Sequence, residues 1–373
     1  MSGWEDFKRL DTLRVHFREN SSAKNAEIFG NSNNQVAVTI QVKIIGTVDE
    51  KETVLHFTEA ELAEQISLVR YSDGSAISSP WGSSAVSKGY DAAYQFSNVR
   101  SESLIDADGD MSYVTLYVSS SVSSVEDDFA VQIYVPGVGA FNTTRDGTGT
   151  DNDNSQFKSP SLVHILAIKP IDYSSGVDFL KTNNMPSAGS HSQLDEKISD
   201  VWVYGLNKNV GIASTKEVTI VSSANKCYFK SITTNGGKVK QSWNFPGNGF
   251  ADCVYGAPGG NYDTIFLFIN KKEFGFLRNN IIYLVKGNTT LNRYTVGERD
   301  DRFHWSSSVP TDKIKVNICN HRVPKKNYHQ LNWYDEVEQS VTVTDNYGNT
   351  SVIKIKLDSS TWPGFRINGE KVN

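Results

Sequence analysis

The chain has 373 residues, with 37 Lys and Arg against 42 Asp and Glu, a formal net charge of -5 and 21% charged residues. That balance leaves no field able to hold a nucleic-acid backbone or an anionic membrane by electrostatics alone, so no nucleic acid is expected as a partner. Hydrophobic residues make up 38%, glycine contributes 28 positions, and Ser, Thr and Asn fill the remainder, a composition that suits short strands joined by many turns.

The amino terminus, from Met1 through Trp4 and Phe7 to Arg9, has no apolar run after a basic start. The chain is therefore expected to be made in the cytoplasm without a Sec signal, and to reach any extracellular assembly by release or incorporation. No later stretch approaches the roughly 20 apolar residues of a membrane-crossing helix, so no transmembrane segment is expected. Arg9 to Glu19 alternates in part, through Leu13, Val15 and Phe17, and the polar run Asn31 to Asn34 follows. From Gln35 to Ile45 the period of two is clean, Val36, Val38, Ile40 and Val42 against Ala37, Thr39, Gln41 and Lys43, and predicts a strand with one wet face.

One helix interrupts the strands. Thr58 to Ile66 offers a capping box, Thr58 accepting from the Glu61 N–H while Glu61 reaches back, with Leu62 and Ile66 on one face. Ser72 to Tyr90 reads as a long surface loop around Pro80, Trp81 and Gly82.

Four alternating segments follow between Ser101 and Ile168, punctuated by acidic stretches at Asp106-Ala107-Asp108-Gly109-Asp110, at Glu126-Asp127-Asp128, and from Arg145 to Asn154 through Asp146, Asp151 and Asp153. Read as an antiparallel meander, they would place the second and third acidic stretches at one end of a sheet and the first at the other. Between residues 182 and 199 the chain turns to small, chain-breaking residues around Pro186, Gly189 and His191, which marks a linker. The predicted organisation is an N-terminal domain over 1-181 and a C-terminal domain over 200-373. Both are β-sandwiches of immunoglobulin-like or jelly-roll-like type, so the fold class is all-β with one short helix.

The second half repeats the pattern of short apolar runs between turns, among them Ile265 to Ile269 and Ile281 to Val285. Near its end, Val341 to Thr344 and Ile353 to Leu357 flank the turn Asp345 to Asn349, a hairpin. It is similar to the terminal hairpin of bacterial immunoglobulin-like modules, a generic likeness over some twenty residues that carries no residue roles.

Asp106, Asp108 and Asp110 are carboxylates at alternate positions, which a tight loop could converge on Ca²⁺. Against an EF-hand loop, Gly109 falls at the fourth position rather than the sixth, and Tyr117 stands where a bidentate Glu should be. A solvated acidic turn is the competing reading. Glu126 to Asp128 with Asp146 to Asp153 forms a second candidate group. Cys319, His321 and His329 are zinc-type ligands without a paired Cys-x-x-Cys, and Cys227, Cys253 and Cys319 read as reduced core thiols.

No nucleophile elbow or complete phosphate loop occurs, and the Ser-x-x-Lys matches at Ser155 and Ser223 open no helix pattern. Catalytic residues are accordingly assigned to none. Trp81, Trp243, Tyr255, Tyr262, Trp305 and Trp333 fall in or beside Gly/Asn/Ser-rich turns, where aromatic rings can stack on sugars or anchor a protein interface. The expected role is a non-enzymatic assembly or recognition protein. It would be a homo-oligomeric structural subunit of a particle or filament, virion components included, or a secreted toxin or adhesin component binding a glycan or surface receptor. Two alternatives are a carbohydrate-active hydrolase, whose paired acids would be remote in sequence, and a pore-forming toxin that refolds a segment such as Val114 to Val125.

Overall fold

The computed structural model describes residues 3-97, 109-147, 161-185, 211-235, 253-257, 262-270, 273-277, 281-286, 289-295, 302-306, 310-323, 334-335, 338-357 and 365-372. For 184-185, 211-216, 253-257, 262-268, 273-306, 317-335 and 357 only the backbone of those residues is described. The chain forms two units. The first is Met1–Pro170 with Asn346–Asn349, the second Ile171–Asp345 with Thr350–Asn373.

Among the described residues the first unit contains eleven strands: β1 (Phe7–Phe17), β2 (Asn25–Phe29), β3 (Val36–Val48), β4 (Lys51–Leu55), β5 (Ile66–Arg70), β6 (Trp81–Ser84), β7 (Gln95–Phe96), β8 (Ser112–Ser120), β9 (Val125–Val135), β10 (Gly139–Asn142) and β11 (Val163–Ile168). One sheet runs β1-β3-β8-β6 with β4 also on β3, and the other runs β10-β9-β11-β2-β7 with β5 also on β9. Alternation builds the core between them: Val36, Val38, Ile40 and Val42 of β3 are buried, as are Phe129, Val131, Ile133 and Val135 of β9. Helix α1 (Glu59–Gln65) starts at the predicted capping box, with Thr58 Oγ1 accepting from the Glu61 N–H at 3.2 Å and Glu61 Oε2 accepting from the Thr58 N–H at 2.8 Å. Its Leu62 joins the core.

Several expectations change. The strand at 36-48 is present, but its second face is not uniformly wet, because Ala37 and Gln41 are buried between the neighbouring strands β1 and β8. The stretch from Ser101 to Ile168 is not one meander. β8 and β9 belong to different sheets, and the chain crosses the sandwich at 121-124. The reason is the inward face of each strand: Val114, Leu116 and Val118 meet Phe129, Val131 and Ile133 across the core, which hairpin partners in one sheet could not do. The residues Asn346–Asn349 are held in this unit by Asn31, whose Nδ2 donates to Tyr347 O at 3.1 Å and to Asn349 Oδ1 at 2.7 Å.

Among the described residues the second unit has fifteen strands: β12 (Leu180–Met185), β13 (Gly211–Ser222), β14 (Phe229–Asn235), β15 (Cys253–Ala257), β16 (Tyr262–Ile269), β17 (Glu273–Leu277), β18 (Ile281–Lys286), β19 (Thr289–Thr295), β20 (Arg302–Ser306), β21 (Ile314–Val323), β22 (Tyr334–Asp335), β23 (Gln339–Asp345), β24 (Thr350–Leu357), β25 (Phe365–Ile367) and β26 (Glu370–Val372). Its main sheets are β12-β13-β21-β16-β15-β22 and β14-β23-β24-β25-β26, with two separate strand pairs, β17-β20 and β18-β19. Val218, Ile220, Ile314 and Val316 of the first pack with Val341, Val343, Ile353 and Ile355 of the second. The predicted terminal hairpin is β23-β24. The division falls between Pro170 and Ile171 rather than in 182-199, because Leu180–Met185 pairs with β13 along Glu217 to Ser222. Residues 186-199 lie outside the described residues.

The protein is thus an all-β fold of tandem sandwiches. Among the described residues no helix is long and apolar enough to cross a membrane.

Candidate functional site

Glu126, Asp127 and Asp128 lie within β9 rather than in a loop. Register sets His164 of β11 opposite Asp128, and Leu166 opposite both Glu126 of β9 and Glu27 of β2. Since Val163, Ile165 and Ala167 point into the core, His164 takes the outward face. Its Nδ1 lies 2.8 Å from Asp128 Oδ1 and its Nε2 3.6 Å from Glu126 Oε2. Asp127, on the alternate face, pairs with Arg70 Nε at 3.4 Å.

The two carboxylates flank opposite edges of the imidazole ring, so their oxygens do not converge on a shared point. Among the described residues no group of three or more His, Cys, Asp or Glu could hold a metal ion. The arrangement is a polar surface patch, two carboxylate acceptors with a histidine held between them.

Sequence reading missed His164 as a partner. Its outward position was legible from the alternation Val163, His164, Ile165, but the carboxylates beside it are set by the β9-β11 register, which local sequence does not encode.

Asp110 pairs with Lys43 Nζ at 3.1 Å, which gives it a structural cation partner from β3. Asp106 and Asp108 lie outside the described residues, as do Asp151 and Asp153. The Tyr71 N–H donates to Asp128 O at 2.8 Å and its carbonyl accepts from the Arg145 N–H at 3.3 Å, so Asp128 and Arg145 flank one residue.

Trp81 opens strand β6 and is 5% exposed, edge-on to Phe129 with ring centroids 5.1 Å apart. This ring fills the sandwich core instead of standing on a loop, because residue 81 pairs with Ser120 at the end of β8 and its side chain turns inward. Tyr255, Tyr262 and Trp305 lie in β15, β16 and β20, where the backbone alone is described. Trp243 and Trp333 lie outside the described residues.

In the second unit a buried polar group centres on Asp345, which is fully buried. Tyr173 Oη donates to Asp345 Oδ2 at 2.9 Å and lies 3.2 Å from Ser222 Oγ. Burial first, and then the Asp345 charge, push the Tyr173 phenol up. The same two causes, in the same order, push the neighbouring Cys227 thiol up to about 12. The thiolate is the reactive form, so this is an inert core group. Iodoacetamide at mildly alkaline pH should label Cys227 at least about tenfold more slowly in the native protein than in urea, followed by peptide mass mapping. Equal rates would mean that the thiol is open to solvent. Cys253 and Cys319 lie in β15 and β21 with the backbone alone described.

No protein-family model and no curated protein matches the chain. Among solved structures it is similar to the C-terminal domain of the antigen I/II-family protein AspA of Streptococcus pyogenes. That match has 9% sequence identity and a TM-score of 0.21 over 92% of this chain and 99% of that one.

Proposed function

We propose that the chain is a non-enzymatic assembly or recognition protein, a subunit that meets copies of itself or particle neighbours through its sheets. The observation that carries this reading is the β9-β10 hairpin. It sets two exposed apolar side chains, Tyr134 at 52% and Val138 at 40%, beside β10, the terminal strand of its sheet. A sheet edge offers backbone donors and acceptors to another chain, and adjoining apolar side chains add the burial that makes such pairing specific. The Glu126, Asp128 and His164 patch lies on the outward face of the same sheet, toward the opposite end of β9 from the hairpin, and offers further polar contacts there.

The test is size-exclusion chromatography with light scattering over a concentration series, with negative-stain electron microscopy of the same fractions. Regular oligomers or rings are expected, and combining Tyr134→Ala with Val138→Asp should raise the concentration needed for association at least about tenfold. A strict monomer at every concentration would remove the assembly reading. Release of reducing sugar from a polysaccharide panel would replace it with the hydrolase alternative.

A further inference from the structure

On the sheet β1-β3-β8 of the first unit, register aligns Arg14 of β1 with Gln41 of β3, and Gln41 with Tyr113 of β8. Two residues further along β1 and β8 the row is His16, Thr39 and Thr115, and the next carries Ala37 beside Tyr117, with the Arg18 N–H donating to Ala37 O at 2.9 Å. Leu13, Val15, Ile40, Val114 and Leu116, which alternate with these residues, are buried in the core, so the rows face outward. The Arg18 row is closed on itself, because Arg18 Nη1 reaches to 3.5 Å from Tyr117 Oη. The Arg14 row is open. Among the described residues the Arg14 guanidinium has no hydrogen-bond or ion-pair partner, and Tyr113 is 37% exposed.

Gln41, between them, is 8% exposed, and among the described residues its side-chain amide has no hydrogen-bond partner. A buried amide left unpaired is costly, and such a group marks a place where a ligand or water completes the bonding. The acids around the face do not match Arg14. Asp110 pairs with Lys43 Nζ at 3.1 Å, and Glu59 Oε1 accepts from the Thr115 N–H at 3.2 Å. Glu19 adjoins Arg18 in the chain, and burial pushes its carboxyl up against the pull of the Arg18 charge. The rest of the floor is uncharged: Thr39 and Thr115 bring hydroxyls, and burial pushes the His16 imidazole down, which keeps it neutral.

An unmatched guanidinium on one side of an uncharged floor, with a phenol ring on the other, is complementary to a ring ligand that carries one negative charge. We infer that this row binds the carboxylate-bearing terminal sugar of a glycan, its acid group on Arg14 and its ring against Tyr113, an inference that rests on the recognition reading above. Two strand spacings set the ends of the row about 10 Å apart at the backbone, room for one sugar residue between them. The guanidinium fork matches a carboxylate in bidentate geometry, and the phenol offers its face to the apolar side of a sugar ring. The Gln41 amide and the threonine hydroxyls supply donors and acceptors for ring hydroxyls. The net charge of -5 opposes a long polyanion, so the charge recognised is that of the terminal residue.

The experiment is titration of the full chain with a fluorescently labelled disaccharide ending in a uronic acid, beside the methyl ester of the same sugar and a short single-stranded oligonucleotide. Binding of the acid, weakening as salt rises, is expected, with the neutral ester at least about tenfold weaker. Arg14→Gln should lower affinity at least about tenfold, and Tyr113→Ala about threefold or more. Gln41→Met should weaken binding while the melting temperature holds, because the amide has no bond in the fold to lose. Lys51→Gln, at the β3-β4 turn, should leave affinity unchanged. The inference is overturned by no binding of the acid, by equal binding of the ester, by tighter binding of the oligonucleotide, or by unchanged affinity in Arg14→Gln. A fall in melting temperature in Gln41→Met overturns it too, since the amide would then be bonded within the fold. Light scattering on the same samples separates the two readings. Oligomers that ignore the acidic sugar sink this site alone, and a strict monomer that binds it sinks the assembly reading alone.

Discussion

Tyr173→Phe is expected to lower the unfolding free energy of the second unit by about 2-4 kcal/mol, measured by urea unfolding. The phenol is 1% exposed and donates to a fully buried carboxylate, Asp345. A hydrogen bond to a charged group is worth about 1.5-3 kcal/mol, and removing one partner of a buried charge adds the cost of its lost solvation. The ring itself would stay, edge-on to Phe229 at 5.3 Å between centroids, so the loss reports the hydroxyl and not a cavity. A double-mutant cycle with Asp345→Asn isolates the pair and should give a coupling of about 1-3 kcal/mol. A loss below about 0.5 kcal/mol for Tyr173→Phe, the size of an ordinary surface substitution, would show that the hydroxyl contributes nothing net.

The same group makes the second unit sensitive to alkali. Both Tyr173 and Cys227 are pushed up in the fold, so the folded state favours their neutral forms while the unfolded chain ionises first. The stabilisation from Cys227 is complete below its ordinary value of 9.0 and is lost as pH climbs from there to about 12. Tyr173 adds to the decline above its ordinary value of 10.0. Melting temperature should fall across that window in the wild type and fall less in Tyr173→Phe with Cys227→Ala.

What was legible in the sequence is what short-range alternation encodes. Val36 to Val42 and Phe129 to Val135 reveal their buried faces directly, and the Thr58-Glu61 box and the β23-β24 hairpin are local as well. Long-range pairing is not written that way. β8 and β9 are adjacent in sequence with equally clean alternation, yet they enter opposite sheets, and β2 pairs in parallel with β11 through residues more than a hundred positions away. The candidate groups followed the same rule. Acidic and aromatic residues were visible by type, but Trp81 turned inward at the edge of a strand, and His164 acquired its carboxylates only through register.

The other large effect is expected at Gly30. A Cβ built there would lie 2.4 Å from the carbonyl carbon and oxygen of Val122 and 2.5 Å from the Ser123 nitrogen. These are backbone atoms of the crossing between the two sheets of the first unit, and they are tied down. Ser120 Oγ donates to Val122 O at 2.8 Å and the Ser124 N–H donates to Ala167 O at 2.7 Å. On its other side Gly30 donates its own N–H to Ile168 O at 2.9 Å, so neither strand can withdraw without breaking a ladder. Gly30→Ala should therefore cost about 3 kcal/mol or more, in the range of overpacking that forces backbone to move. Gly82→Ala is the matched control. A Cβ at Gly82 meets nothing within 4 Å, and the substitution should lie within about 0.5 kcal/mol of wild type, because removing unfolded-state freedom offsets small local losses. Thermal or urea unfolding of the two variants decides the point. Equal stabilities would mean that the 121-124 crossing yields to a methyl group, and that the close approach at Gly30 is not what fixes the path between the sheets.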